Sequence, residues 1–205
     1  MLHAHSEKVK VIKVNFEKSK ILGGIGALMI VLEVIPTAIG IFADFSTYGI
    51  LRIMGILFIL ISLHNFANFY QAKNIYRNAK FGATAAIIST IFTVTGGIVL
   101  SAITGSATYL IGLLLYWGIF AITIAVAAFF VRRSLNELAA CSATPQFATA
   151  GRFLYLGAIL LILVLPMALM WVAFLILAYA FFKMKQTKPT TTPLQTQTPT
   201  QTNYV

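Results

Sequence analysis

Residues 153–182 read Phe153-Leu-Tyr-Leu-Gly-Ala-Ile-Leu-Leu-Ile-Leu-Val-Leu-Pro-Met-Ala-Leu-Met-Trp-Val-Ala-Phe-Leu-Ile-Leu-Ala-Tyr-Ala-Phe-Phe182, a run with no charged side chain. As one straight α-helix the run would extend for about 45 Å, well beyond a hydrocarbon layer of about 30 Å. As two helices turning at Pro166, each piece is short for a crossing. The flanks favour two: Arg152 precedes the run and Lys183, Lys185 and Lys188 follow it. Two crossings put all four cations on one side, whereas a single crossing would separate them against the usual segregation of Lys and Arg.

Outward from this run the chain is built of similar pieces. Apolar stretches cover Ile21 to about Phe45, Tyr48 to about Phe66, Phe81 to Ile103 and Tyr109 to Val131. Pro36 and Gly40 are expected to end or kink the first. The links are a turn at Asp44–Thr47, a polar basic stretch from Gln71 to Lys80, and the uncharged turn Thr104-Gly105-Ser106. After Arg132 and Arg133 a short helix is expected over Leu135–Cys141, stopped by Pro145. Six segments leave fourteen of the fifteen basic residues on one side, Arg52 being the exception. The expected fold is therefore an all-α, polytopic transmembrane helical bundle of six segments in the cell membrane, five being the alternative, with both termini cytoplasmic.

Composition agrees with this class. The 205 residues are 59% apolar and 10% charged, against about half and about a quarter in soluble domains. The excess of 15 Lys and Arg over 5 Asp and Glu lies beside apolar runs and has no nucleic-acid motif with it, so it reads as topological anchoring, with membrane lipids as the partner. Three regions follow: a basic juxtamembrane segment 1–20, a helical domain 21–183, and a Thr/Pro/Gln-rich tail 184–205 expected to be disordered. The tail composition resembles extracellular stalks and argues against a cytoplasmic C-terminus. The polar first twenty residues and the lack of an A-x-A site predict that the first segment is retained.

The two ends of the chain resemble each other. Ile25-Gly-Ala-Leu-Met-Ile-Val-Leu-Glu-Val-Ile-Pro36 is echoed by Leu156-Gly-Ala-Ile-Leu-Leu-Ile-Leu-Val-Leu-Pro166, and each run leads into a second apolar helix followed by basic residues. The N- and C-terminal hairpins thus read as an internal repeat.

Few residues carry chemistry. Glu33 is an ionisable group in an apolar segment, which marks a functional site by default. Arg52, near the same end of segment two, is its natural ion-pair partner. A structural or solvated Glu33 competes with a proton or substrate site. In segment three, Ala85, Ser89, Thr93, Gly97, Ser101 and Gly105 put a small residue at every fourth position. Small residues let helices approach closely, so the stripe reads as a packing seam, or alternatively as a polar wall; Gly23 and Ala27 give segment one a shorter version. His64, Asn65 and Asn68 fit an interfacial position, Trp117 and Trp171 pack or anchor, and the strip Lys73–Lys80 reads as a topology-setting link that can also meet anionic headgroups. His3 and His5 make too small a ligand set for a firm metal site, and Cys141 reads as an inert thiol. No G-x-S-x-G, H-E-x-x-H, C-x-x-C or Walker A pattern occurs. The expectation is a protein that is not an enzyme, has no cofactor or metal, and binds no nucleic acid.

Ile21-Leu-Gly-Gly-Ile-Gly-Ala-Leu28, Asn74-Ile-Tyr-Arg-Asn-Ala79, and Leu156-Gly-Ala158 with Trp171 and Ala178-Tyr-Ala-Phe-Phe182 resemble a family of small multi-pass membrane proteins, found largely in archaea and classed as a domain of unknown function. The likeness spans the chain to about Phe182. It implies a membrane protein and brings no activity with it, and it assigns no role to Glu33. Two functions follow as expectations: a structural or accessory subunit, homo-oligomeric or part of a larger membrane complex, and a small solute or proton transporter using Glu33. A membrane-embedded enzyme is a third reading, with few acidic residues to serve it.

Overall fold

The computed structural model describes residues 16–33, 45–102, 109–160 and 167–186, and all regular structure among them is α-helical. Helix α1 covers residues 16–33. It is followed by α2 (Phe45–Phe69), α3 (Lys73–Ala102), α4 (Tyr109–Ser142), α5 (Gln146–Leu160) and α6 (Met167–Lys183). The apolar run of residues 153–182 therefore divides between α5 and α6. These two pack antiparallel, with Gly157 against Met170 and the Phe147 ring 5.0 Å from that of Phe181. His3, His5, Pro36, Gly40, Asp44, Gly105, Pro166 and the tail from residue 187 lie outside the described residues.

One sequence expectation needs correction. The stretch Gln71–Lys80 is not a link: α3 begins at Lys73. Its Ile75, Asn78 and Ala79 are buried while Lys73, Asn74, Arg77 and Lys80 are exposed, so the strip is an amphipathic helix start whose two faces average out in hydropathy. Leu135–Cys141 is helical as expected, forming the last two turns of α4. At about 1.5 Å per residue α4 is about 50 Å long, so its polar end projects beyond any hydrocarbon layer.

The α2–α3 and α4–α5 turns are alike. Gln71 (φ 56°) and Ala143 (φ 50°) take left-handed conformations. The following amides donate back to carbonyls five residues earlier, Ala72 to Ala67 at 2.9 Å and Thr144 to Ala139 at 3.3 Å. This is the Schellman closure, usually built on glycine. At Gln71 the side-chain amide also donates to the Asn68 carbonyl, 2.7 Å.

Helix order in space follows the chain, with α2 on α3, α3 on α4, α4 on α5 and α5 on α6. Helix α1 packs on α2 through Gly26 and Gly55, and on α6 through Gly23 and Phe181. The described ends where α1, α3 and α5 begin and α2, α4 and α6 finish thus lie together. There Phe16, Phe66, Phe147 and Phe181 form the centre of the main core with Leu63, Ile75, Leu138 and Met184. A smaller cluster of Ala128, Leu154, Ala158 and Ala173 joins α4, α5 and α6. The exposed cations Lys73, Arg77, Lys80, Arg133, Arg152, Lys183 and Lys185 surround the main core's end of the bundle, and Arg52 stands at the other.

Outside that aromatic core, large apolar residues face outward and small ones pack between the helices. Ile21, Ile25, Leu28 and Leu32 on α1, and Ile50, Met54, Leu57 and Ile61 on α2, form exposed stripes at helical spacing. Helix α4 exposes Leu110, Ile111, Leu114, Leu115 and Ile122 by more than 60% each. Inside are Gly23, Gly24, Gly26, Ala27, Gly55, Ser62, Ala83, Ala127, Ala150, Gly151, Gly157, Ala158 and Ala178. Exposed apolar area on this scale is costly in water and free of that cost in lipid.

Candidate functional site

The charged pair is positioned by a glycine crossing. A Cβ on Gly26 would lie 2.7 Å from the Gly55 carbonyl oxygen, and one on Gly55 would lie 2.7 Å from that of Gly26. Only glycine at both positions lets α1 and α2 touch backbone to backbone. Glu33 follows Gly26 by two turns, on the same face, and Arg52 precedes Gly55 by about one turn. The guanidinium accordingly meets the carboxylate at two points: Arg52 Nε donates to Glu33 Oε2 at 3.1 Å, and Arg52 Nη2 lies 2.7 Å from Oε1. The Glu33 side chain is 2% exposed and that of Arg52 32%. A planar fork on both carboxylate oxygens fixes orientation as well as charge. Close by, the Trp171 indole N–H of α6 donates to the Val31 carbonyl at 3.3 Å, so α6 is tied to the same end of α1.

Along α3, Ser89 is buried and Ala85 and Thr93 are half-buried. Gly97 and Ser101 lie within α3. The tightest approaches to α4 are at Gly82, against Val131 and the Ala127 carbonyl, and at Gly96, against the Tyr116 ring. Hydroxyls on these helices mostly bond to their own turn: Thr90 to Ala86 O, Thr93 to Ser89 O and Thr123 to Ile119 O, all within 2.9 Å. Such back-bonding satisfies a hydroxyl without water. The Tyr116 hydroxyl crosses to the Thr93 carbonyl at 3.2 Å. The Ser89 hydroxyl is buried with no hydrogen-bond partner among the described residues.

The basic end carries interhelical polar contacts that hydropathy reading missed. Ser62 donates to Ser19 O and Ser134 to Ile75 O, each at 2.7 Å. Asn78 donates to Glu137 Oε1 at 3.3 Å. Burial pushes the Glu137 carboxyl above its ordinary range, and Arg77 and Arg133 oppose that shift. Burial, then the nearby Glu137, pushes the Cys141 thiol up, which disfavours the reactive thiolate. Exposed His64 sits 3.2 Å from Asn68 Nδ2 and edge-on to Tyr76. Trp117 packs on Phe120. No group of three His, Cys, Asp or Glu side chains gathers among the described residues. The sequence signal for these contacts was a Ser or Asn recurring within apolar helices, which names no partner.

The site and fold define a class: an all-helical chain in which, among the described residues, Gly49–Phe69 and Tyr109–Ser142 are long and apolar enough to cross a membrane, with Leu169–Lys183 a shorter apolar helix. The pattern of the family described as Protein of unknown function (DUF996) matches residues 51–176, more than half of the chain, and the chain belongs to that family. It is similar to the uncharacterized protein MJ1644 of Methanocaldococcus jannaschii, 26% identical over 184 residues, covering 85% of this chain and 96% of that protein. No solved structure matches.

Proposed function

We propose that the protein is an integral membrane protein of six crossings, and a non-enzymatic structural or accessory subunit that packs with itself or within a larger membrane complex. The observation that carries the membrane reading is the run of large exposed apolar side chains along α1, α2 and α4, outside the aromatic core. Six crossings are supported by the antiparallel packing of successive helices through one common core. The cytoplasmic placement of both termini is supported by the cations gathered at the end where α1 begins and α6 finishes. A subunit role is supported by α4, whose exposed apolar face includes Gly118, with open space where a Cβ would be.

The experiment is purification from native membranes in mild detergent, with mass spectrometry of what co-purifies at fixed stoichiometry. A reproducible complex or a stable homo-oligomer is expected; a monomer without partners would overturn the subunit reading. Impermeant labelling of a C-terminal tag on intact cells should fail before lysis, and labelling without lysis would remove the six-crossing topology.

A second reading, a small solute or proton transporter, is favoured by Glu33 as a buried carboxylate in an apolar helix. Its engagement by the Arg52 fork speaks for the structural role. Proton or solute flux in reconstituted vesicles that is lost in Glu33→Gln would reverse that preference.

A further inference from the structure

Between α4 and α5 the outer surface holds an open groove of about 380 Å³, lined by Ile122, Ala125, Val126, Phe129, Phe130, Tyr155 and Ile159. The groove follows α4 from Ile122 to Phe130, about 12 Å at the helical rise, and it points toward the basic end of the bundle. Cations stand on the rings that wall it there. The Arg132 guanidinium carbon lies 4.9 Å from the Tyr155 ring centroid, and that of Arg133 lies 5.1 Å from the centroid of Phe129. Arg152, exposed on α5, precedes Tyr155 by three residues and shares its face. Among the described residues no carboxylate is within ion-pair distance of these three arginines. Glu137, one turn beyond Arg133, interacts with Arg133 and Arg77 at longer range.

We propose that this groove binds one anionic phospholipid, an acyl chain lying between α4 and α5 and the phosphate held at the rim by Arg132 and Arg152 with support from Arg133. The inference rests on the membrane reading above. The Arg132 and Arg133 guanidinium groups are held over aromatic rings, Arg152 stands beside them on α5, and a planar fork suits a phosphate better than a point charge does. The order of chemistry along the groove, apolar wall and then cationic rim, matches the order of a lipid from chain to headgroup. Partial neutralisation by Glu137 makes Arg133 the weakest of the three.

The test is native mass spectrometry of the detergent-purified chain offered equal amounts of palmitoyl-oleoyl phosphatidylglycerol and phosphatidylcholine. One phosphatidylglycerol should be retained in preference. Arg132→Gln with Arg152→Gln should cut that preference by about thirtyfold, taking a typical headgroup contribution for each cation. The paired Lys variants should keep part of it. Ala125→Phe, which places a ring in the groove from its α4 wall, should lower retention of both lipids with the helical circular dichroism unchanged. Equal retention of the two lipids by the wild type overturns the proposal. So does displacement by millimolar inorganic phosphate, which would indicate a small-anion site, or an Ala125→Phe change in subunit number, which would indicate a second copy in the groove. Release of the chain from membranes by alkaline carbonate would instead overturn the membrane reading; a chain that resists carbonate but shows no headgroup preference fails this inference alone.

Discussion

Neutralising one member of the Glu33–Arg52 pair at a time should have unequal effects, because the two side chains differ in exposure, 2% against 32%. In Arg52→Gln the buried carboxylate loses its countercharge and has little access to water. Breaking a buried pair in this way costs about 3–5 kcal/mol. In Glu33→Gln the remaining guanidinium turns toward solvent or headgroups, and the loss is nearer that of a charge-assisted hydrogen bond, about 1.5–3 kcal/mol. For a chain of this size each kcal/mol lowers the melting temperature by about 2–4 °C, so Arg52→Gln should lose about 6–20 °C and Glu33→Gln about 3–12 °C. The double variant should fall close to Glu33→Gln alone, because it leaves no uncompensated charge. The assay is thermal melting of the detergent-purified chain followed by circular dichroism. A larger loss for Glu33→Gln than for Arg52→Gln, or no loss in either, would refute the argument that the pair serves as a structural clamp.

Other expectations follow from the packing. Gly26→Ala places a methyl against the Gly55 carbonyl, which is backbone and cannot turn aside; a melting experiment should show a loss equivalent to about 1–3 kcal/mol. Ala143→Gly relieves a left-handed conformation and should stabilise by about 1 kcal/mol, read in the same assay. Glu137 is held above its ordinary range by burial, so its ionisation opposes folding: the neutral form's contribution is complete below the unfolded carboxylate range and is lost as pH rises through the raised folded value. Glu137→Gln should accordingly raise the melting temperature at pH 7 and leave it unchanged near pH 4.

Helix existence was legible in the sequence wherever a run was apolar on all sides, as for α2 and the first two thirds of α4, because lipid-like hydropathy averages over faces without loss. It misread the starts, and for one reason. Residues 73–80 are amphipathic helix outside the most apolar stretch, with Ile75 and Ala79 turned inward, and a hydropathy average reports their solvent rather than their backbone. Helix α1 likewise begins within the basic segment, where Phe16 is buried 5.4 Å from the Phe66 ring. Glu33 and Arg52 were legible as partners because both stand near the same end of adjacent antiparallel segments. The glycines that bring them together were not, since Gly26 and Gly55 are two of several glycines in low-complexity apolar sequence, and only three-dimensional contact distinguishes them.

The polar contacts divide the bundle into two differently secured ends. At the basic end the aromatic core, two Schellman turns and the Ser19–Ser62, Ile75–Ser134 and Asn78–Glu137 contacts link the helices. At the opposite end, among the described residues, α1 is tied by the Arg52 fork and the Trp171 indole. In lipid, apolar side chains would supply little drive for helices to associate, so position would come from close packing and from polar groups that bond between helices. The Gly26–Gly55 approach supplies the first and Glu33 the second. On the proposed membrane reading an ion pair at that place serves to fix α1 against α2, and its presence does not by itself require a transported ion.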